Sequence, residues 1–330
     1  MSELISLFEQ APALLFLTTA LFGLAVGSFL NVLILRLPRI MEQEWREECA
    51  ELLASENLAA SQQDAPTPAA ESAESAAESA AEPAAAPSQQ ASPTSETTTA
   101  PRLSLSRPGS HCPSCGTAIR ALDNIPILSW LRLRGRCRAC EAKISIRYPL
   151  VEALTAVLSV VVVWQLGPTP AALAALILTW GLVALAIIDF DTQLLPDSLT
   201  LPLLWLGLLL SLGGTFTDPT SAILGAAAGY LLLWLVFQAF RITTGKEGMG
   251  RGDFKLLALF GAWLGWQAVP QIILLSALPG AIVGVALIAS GRQQAGQPIP
   301  YGPFLAIAGW ISLLWGEAIT GAYLSWAGLA

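Results

Sequence analysis

The segment GMGRGDFKLLALFGAWLGW at residues 248–266 decides the fold of this chain, together with IIDFDTQLLPD at residues 187–197. Each segment places aspartates where a long apolar run meets a short polar turn, and these are Asp253 in the first segment and Asp189 and Asp191 in the second. An ionisable side chain at the edge of a bilayer core is costly to keep there, so each is a candidate functional residue. The two segments together predict a pair of carboxyls.

A carboxyl pair can drive the attack of water on a peptide bond. Like charges about 3 Å apart cannot both ionise, so one carboxyl acts as a base while its partner acts as an acid. Asp253 and one of Asp189 or Asp191 form the predicted pair, and Gly250 and Gly252 lack the Cβ that would keep a backbone or a substrate strand away. The alternative is that each aspartate caps a helix start. The occurrence of two such segments favours the pair.

Composition indicates a membrane protein. Of 330 residues, 54% are hydrophobic and 12% are charged, against about 25% charged in a typical soluble domain. The predicted fold class is an all-α polytopic membrane protein with about eight transmembrane helices. The apolar runs lie at residues 11–35, 150–166, 170–188, 199–213, 221–240, 254–267, 270–290 and 303–328. Several of them are shorter than the ~20 residues that a straight crossing needs.

Basic residues predict the orientation in the membrane. All 17 lysines and arginines lie at residues 36–39, 46, 102–147, 241–255 and 292. The turns near 167–170, 213–220 and 267–271 carry none. By the positive-inside rule the basic segments are cytoplasmic. Eight spans with both ends outside satisfy this pattern and place all three aspartates on the cytoplasmic side.

Four cysteines predict a small cytoplasmic module of the zinc-ribbon type. Cys112-x-x-Cys115 and Cys137-x-x-Cys140 are separated by 21 residues, just beyond the usual gap of a four-thiolate zinc site. Two disulfides or a redox pair are the alternatives, and a cytoplasmic location argues against stable disulfides. Four thiolates fill every coordination position, so the predicted zinc is structural. His111 adjoins the first pair and is interpreted as a neighbour of the metal.

The histidine content narrows the possible chemistry. His111 is the only histidine of the chain, whereas a histidine-based zinc protease or a Ser-His-Asp triad needs one beside its catalytic groups. Carboxylates are therefore the plausible machinery for peptide hydrolysis. The arginines around the cysteines are interpreted as the cytoplasmic charge signal, with attraction to anionic lipid, and not as a nucleic-acid site.

The predicted domain order is a first transmembrane span at 1–40, a cytoplasmic amphipathic helix at 41–53, a disordered low-complexity insert at 54–101, the four-cysteine zinc module at 102–149 and a seven-span membrane domain at 150–330. The insert repeats Ala, Glu, Ser, Pro and Thr and cannot bury enough apolar surface to fold. Gly27, Ser28 and Asn31 share one helical face, which indicates a helix contact. The loop 291–304 either lines the cleft of the aspartates or is a connecting turn.

The ordered set of motifs resembles the bifunctional prepilin peptidases, or type IV leader peptidases, of Gram-negative bacteria. The motifs are GSFLNVLILRLP, ME-x-x-W, CPSC, DNIPILSWLRLRGRCRAC, YPLVE, DFDTQLLPDSLTLPLLW, GMGRGDFKLLALFGAWLGW and IPYGPFLAIAGW. The resemblance covers nearly all of the chain except residues 54–101. This insert is longer than the family pattern, and Tyr301 stands where phenylalanine is commoner.

The resemblance implies a multi-pass aspartic endopeptidase of the bacterial inner membrane with its active site and zinc module facing the cytoplasm. Such enzymes cut the basic leader from type IV prepilins or type II secretion pseudopilins after a glycine. They then N-methylate the new amino terminus, usually phenylalanine, with S-adenosylmethionine. The family's catalytic aspartates fall on Asp189 and Asp253, with Asp191 as the backup for Asp189. The family's zinc-binding thiols fall on Cys112, Cys115, Cys137 and Cys140.

The implied partners are prepilin or pseudopilin substrates and the lipid bilayer, without nucleic acid. The sequence indicates neither the S-adenosylmethionine site nor the oligomeric state. Two alternatives remain at this point. One is a protease of the Gly-x-Gly-Asp type without methyltransferase activity, and the other is a proton-coupled transporter with the aspartates as ion sites. The chain shows no inverted repeat of broken helices, which argues against transport.

Overall fold

In the computed structural model, the described residues are 8, 10–63, 103–107, 109–120, 123–291 and 299–328. Within these ranges the helices are α1 Pro12–Gln63, α2 Leu128–Arg132, α3 Arg147–Leu166, α4 Pro170–Thr192, α5 Asp197–Ser211, α6 Pro219–Thr244, α7 Arg251–Leu264, α8 Ala268–Ala289 and α9 Gly302–Trp326. The β-structure of the described residues is two isolated bridges in the cysteine module. The predicted all-α class is confirmed.

Six of the described helices are long and apolar enough to cross a membrane, and these are α1, α3, α4, α6, α8 and α9. The apolar runs 199–213 and 254–267 form α5 and α7, which have 15 and 14 residues. At 1.5 Å per residue these two helices span about 22 Å, less than the ~30 Å of a bilayer core. The chain is therefore a multi-pass membrane protein, and the count of eight spans stays a prediction.

Helix α1 differs from the predicted division of the first 63 residues. Residues 12–40 of the predicted span, the amphipathic helix and the first ten residues of the predicted insert lie in one helix, Pro12–Gln63. Residues 54–63, expected to be disordered, are helical because Ala, Glu, Leu and Gln favour helix and no proline interrupts them. The rest of the insert, residues 64–101, lies outside the described residues.

The chain forms two compact units, Met1–Pro38 with Leu105–Ala330, and Arg39–Ser104. Contacts between α1 and α3 belong to the larger unit. A Cβ on Gly27 would lie 2.7 Å from Cα of Glu152, and Nδ2 of Asn31 donates a hydrogen bond to the Tyr148 carbonyl at 3.1 Å. The helix contact predicted for this face of the first span is confirmed.

Helix α7 lies in the centre of the membrane bundle. Ten of its 14 residues are buried, including every one from Leu256 to Trp263. Trp263 of α7 is 1% exposed, and its Nε1–H donates a hydrogen bond to the Leu203 carbonyl of α5 at 2.8 Å. Against α6 it packs through glycines, since a Cβ on Gly261 would collide with the Gly225 carbonyl. Small residues allow such close helix approach inside lipid.

Candidate active site

Two helix ends carry the predicted acidic residues. Asp189 lies in the last turn of α4, which ends because Gln193 adopts a left-handed conformation, with φ 55°. Asp253 lies in the first turn of α7, which begins after Gly250. The segment 193–196 then leads from α4 into α5. The two acids therefore belong to separate helices and are 64 positions apart in the sequence.

Asp189 and Asp253 are both buried, and their carboxyl groups interact electrostatically. Each is 5% exposed, and the charge of Asp189 acts directly on the Asp253 carboxyl. The main chain of Gly250 hydrogen-bonds the Asp253 carboxyl. Its other oxygen, Oδ1, is fully buried and has no hydrogen-bond partner among the described residues. Such an oxygen needs a proton, a water or a substrate group to satisfy it.

Asp191, the backup for Asp189, lies in a different environment. Its carboxylate forms an ion pair with the Arg147 guanidinium at the start of α3. The side chain of Asp191 is 30% exposed. The structure therefore brings Asp189 to Asp253 and directs Asp191 toward an arginine near the surface.

Gly302 is a residue of this site that sequence reasoning did not single out. Its main-chain N–H donates to Oδ2 of Asp189 at 3.0 Å. A Cβ at this position would lie 2.6 Å from the same oxygen, so any larger residue would displace the carboxyl. The sequence alone leaves open whether the loop 291–304 is a cleft wall or a connecting turn. Two of its described residues, Tyr301 and Gly302, lie at the site.

Tyr301 precedes this glycine and anchors the loop. Its hydroxyl and the Ser276 hydroxyl of α8 are 2.6 Å apart. Burial is the main cause that raises the pKa of the Tyr301 phenol above its usual value, and the charge of Asp253 adds to it. Tyr301 is thus a neutral hydrogen-bonding group beside the acids.

The two glycines before Asp253 have different surroundings. A Cβ on Gly252 would lie 2.6 Å from the Leu195 Cβ, so this glycine allows the segment between α4 and α5 to pack on α7. Among the described residues, a Cβ on Gly250 would meet only Oδ2 of Asp253, at 3.5 Å. The described residues therefore leave the Cβ side of Gly250 nearly open, whereas Leu195 fills that of Gly252.

The four predicted metal ligands form one cluster. The sulfur atoms of Cys112, Cys115, Cys137 and Cys140 all lie within 4.8 Å of one another. Cys112 Sγ and Cys140 Sγ are 3.7 Å apart. Four sulfurs about 2.3 Å from a zinc ion in tetrahedral geometry are separated by about 3.8 Å. The donor set and its spacing fit zinc, and none of the four thiols is in a disulfide.

Both cysteine pairs are held by the same kind of turn. The Cys112 N–H donates to the Thr117 carbonyl at 2.9 Å, and the Cys137 N–H donates to the Ala142 carbonyl at 2.8 Å. Each turn contains one left-handed residue, Gly116 with φ 69° or Glu141 with φ 59°. His111 lies outside the thiol cluster, with its Nδ1 2.9 Å from the Gly109 carbonyl.

Glu152 connects the cysteine module to the membrane helices. This buried carboxylate, 7% exposed, accepts a hydrogen bond from the Ile127 N–H at 2.7 Å. The Ser28 hydroxyl of α1 hydrogen-bonds the same side chain. Ile127 has φ 57°, a conformation that a β-branched residue rarely adopts. The sequence gives no pattern for this contact, because it joins residues that are 25 and 124 positions apart.

Two family models match the chain in the regions described above. The bacterial peptidase A24 N-terminal domain matches residues 21–166, which include the four clustered cysteines. The type IV leader peptidase family matches residues 176–285, which include Asp189 and Asp253. Gly302 lies beyond the second matched range.

Curated relatives match over nearly the whole length. Proteins named prepilin leader peptidase/N-methyltransferase from Aeromonas salmonicida and Pseudomonas aeruginosa are 51% and 48% identical, each over 98% of this chain and 99% of the relative. The protein of the same name from Legionella pneumophila is 41% identical over 97% of this chain and 98% of its own length. No solved structure is a significant match. The chain therefore belongs to the type IV leader peptidase family, as the motifs of its sequence indicate.

Proposed function

We propose that this chain is a membrane aspartic endopeptidase and N-methyltransferase that acts on type IV prepilins or type II secretion pseudopilins. It cuts the basic leader after a glycine and then methylates the new amino terminus, usually phenylalanine, with S-adenosylmethionine. The names of relatives that are 41–51% identical support both activities. They support neither transport nor a peptidase without methyl transfer.

The buried pair of Asp189 and Asp253 carries the proposal for peptide hydrolysis. Two carboxyls in mutual electrostatic contact are the arrangement that activates water and protonates a carbonyl. The contact of Asp191 with Arg147 favours Asp189 as the first acid. The open side of Gly250 supports a role in receiving the substrate strand. For Gly252, contact with Leu195 supports a packing role.

Zinc in this proposal is a structural ion. Cys112, Cys115, Cys137 and Cys140 would hold it, and four thiolates leave no position for a reacting water. The metal would fix the two turns of the module against each other. The chemistry of cleavage is assigned to the carboxyls alone.

The proposed location is the bacterial inner membrane, with the acids and the cysteine module on the cytoplasmic side. Contacts support a common side, because the start of α3 contacts the end of α4 through Arg147 and Asp191, and Gly302 at the start of α9 contacts the same helix end. Lysines and arginines occur in segments at this side and not in the turns 167–170 and 213–220. This asymmetry is typical of cytoplasmic loops.

One experiment tests both proposed activities. The detergent-purified full chain is incubated with a prepilin and S-adenosylmethionine, and the product is analysed by mass spectrometry. We expect a new amino terminus after a glycine and a mass increase of one methyl group on it. A product that is cut but never methylated would reduce the proposal to a peptidase. An intact prepilin, under conditions in which a relative's enzyme cuts it, would overturn it.

A further inference from the structure

Asp189 and Asp253 are not equivalent, and the difference lies at the start of α9. Asp189 receives the Gly302 N–H at Oδ2 with a hydrogen-bond length of 3.0 Å. This amide is at the first position of a 25-residue helix, and Pro303 after it has no N–H to offer. A helix start carries partial positive charge and stabilises a nearby carboxylate. The Gly302 amide therefore stabilises the carboxylate form of Asp189 against the effect of its burial.

Asp253 also lies at a helix start, in the first turn of α7, but differs from Asp189 at one carboxyl oxygen. Its Oδ1 is completely buried without a partner among the described residues, and the charge of Asp189 acts on it. The main chain of Gly250 forms a hydrogen bond with the Asp253 carboxyl, but this bond does not satisfy Oδ1. A proton on the carboxyl removes the like-charge repulsion and turns Asp253 into a donor for an incoming carbonyl oxygen.

We propose that the Gly302 main-chain N–H is a positioning group that makes Asp189 the base and leaves Asp253 as the acid of the pair. This inference rests on the proposed peptidase function and deepens it. Asp189 takes a proton from water, and the water oxygen bonds to the scissile carbonyl carbon while Asp253 gives its proton to the carbonyl oxygen. The C–N bond then breaks, the proton on Asp189 goes to the leaving nitrogen, and Asp253 regains a proton from the second hydroxyl of the intermediate.

The requirement for glycine follows from the same contact. A methyl group at position 302 would lie 2.6 Å from Oδ2 and 3.0 Å from Cγ of Asp189. Either the carboxyl or the start of α9 must move, and the hydrogen bond from the amide is lost or lengthened. The Tyr301 and Ser276 hydroxyls hold the loop against α8 from the other side. This anchor limits how far the helix start can retreat.

The test compares Gly302→Ala with Gly316→Ala in the same helix. A Cβ on Gly316 would meet its nearest atom at 3.8 Å, so this control adds the same methyl group without a collision. Cleavage of a prepilin peptide is measured as kcat and KM with the purified full chain. We expect kcat of Gly302→Ala to fall roughly 100-fold with little change in KM, as for a catalytic group misplaced by about 1 Å. Gly316→Ala should keep the wild-type values.

Methylation of a prepilin that has already been cut provides the readout that misfolding would change. We expect Gly302→Ala to retain it. If the variant loses both activities, infrared spectroscopy of the full chain decides: the carbonyl band that a protonated carboxyl gives in the wild type should disappear in Asp253→Asn. Wild-type kcat in Gly302→Ala, or loss of the band in Asp189→Asn alone, would overturn the inference. Failure of the wild-type chain to cut would instead refute the proposed function.

Discussion

The structure distinguishes Asp189 from Asp191, two residues that the sequence alone leaves equivalent. Asp189 and Asp191 are two positions apart in the same motif, and either could pair with Asp253 by sequence alone. On a helix, a shift of two residues turns the side chain by about 200°. One carboxyl therefore enters the bundle while the other reaches Arg147.

Asparagine substitutions test the roles of the three acids. We expect Asp189→Asn and Asp253→Asn each to lower the rate of prepilin cleavage at least about 100-fold, because each removes one partner of acid–base catalysis. Asp191→Asn is the matched control, since it loses an exposed ion pair worth ~1 kcal/mol or less. Cleavage assays on purified variants with equal gel-filtration profiles measure this. Normal cleavage by the Asp189 variant would remove it from the mechanism.

The sequence predicted the acids, the glycines and the thiols because each lies in a compact motif. It did not predict Gly302, because the partner of its amide is 113 positions away and a main-chain donor leaves no mark in a sequence. The sequence did not predict the role of Glu152 for a similar reason. Its partners Ile127 and Ser28 come together only when three chain segments pack.

At the scale of helices, α6 and α7 depend on glycines that face each other. The Gly261 and Gly225 backbones are close enough that a Cβ on either would collide with the other's carbonyl. One turn further along, a Cβ on Gly229 would lie 2.7 Å from the Leu257 carbonyl. This row of glycines brings α6 against α7, whose first turn carries Asp253.

Alanine at this contact should separate the two helices. We expect Gly261→Ala to lower the stability by about 1–3 kcal/mol, the usual cost of an extra methyl group in a packed interior. The midpoint of thermal unfolding in detergent measures the effect. Gly321→Ala, where no atom of the described residues outside the helix's own backbone lies within 4 Å of the added Cβ, should leave the midpoint unchanged or raise it. Equal midpoints for both variants would show that α6 and α7 tolerate separation.

The cysteine module should depend on its metal. Serine at Cys137 removes one of four thiolates from the cluster, and we expect a fall in bound zinc per chain, measured by atomic absorption on the purified protein. Cys49→Ser is the control, because Cys49 lies in α1 outside the cluster. We expect methyl transfer to fall more than peptide cleavage in Cys137→Ser, because the acids proposed for cleavage lie in the membrane helices and not in the cysteine module. Full zinc content in Cys137→Ser would contradict a four-thiolate site.

For the whole molecule, one buried acid links the cysteine module to two membrane helices. Glu152 of α3 binds the Ile127 amide of the module and the Ser28 hydroxyl of α1. The left-handed conformation of Ile127 costs energy that the hydrogen bond helps to offset. Three parts of the chain that are distant in sequence therefore share a single contact.

Removal of this carboxylate should loosen the module. Glu152→Ala leaves the Ile127 N–H without its acceptor, which costs about 1–3 kcal/mol, and we expect faster amide hydrogen exchange across residues 123–134. Glu152→Gln retains an acceptor oxygen and should protect this segment nearly as well as the wild type. Unchanged exchange in the alanine variant would show that other contacts fix the module.

The shortness of α5 has a consequence for the surrounding lipid. This helix of 15 residues starts at Asp197, which pairs with Lys255 two residues after Asp253, and it turns Trp205 and Leu209 outward with exposures of 62% and 61%. A wall about 22 Å tall beside a ~30 Å hydrocarbon layer creates hydrophobic mismatch, which the bilayer relieves by thinning. We therefore expect headgroups and water to come closer to the acids at this flank. Turnover in nanodiscs should accordingly decline as the acyl chains of the lipid are lengthened.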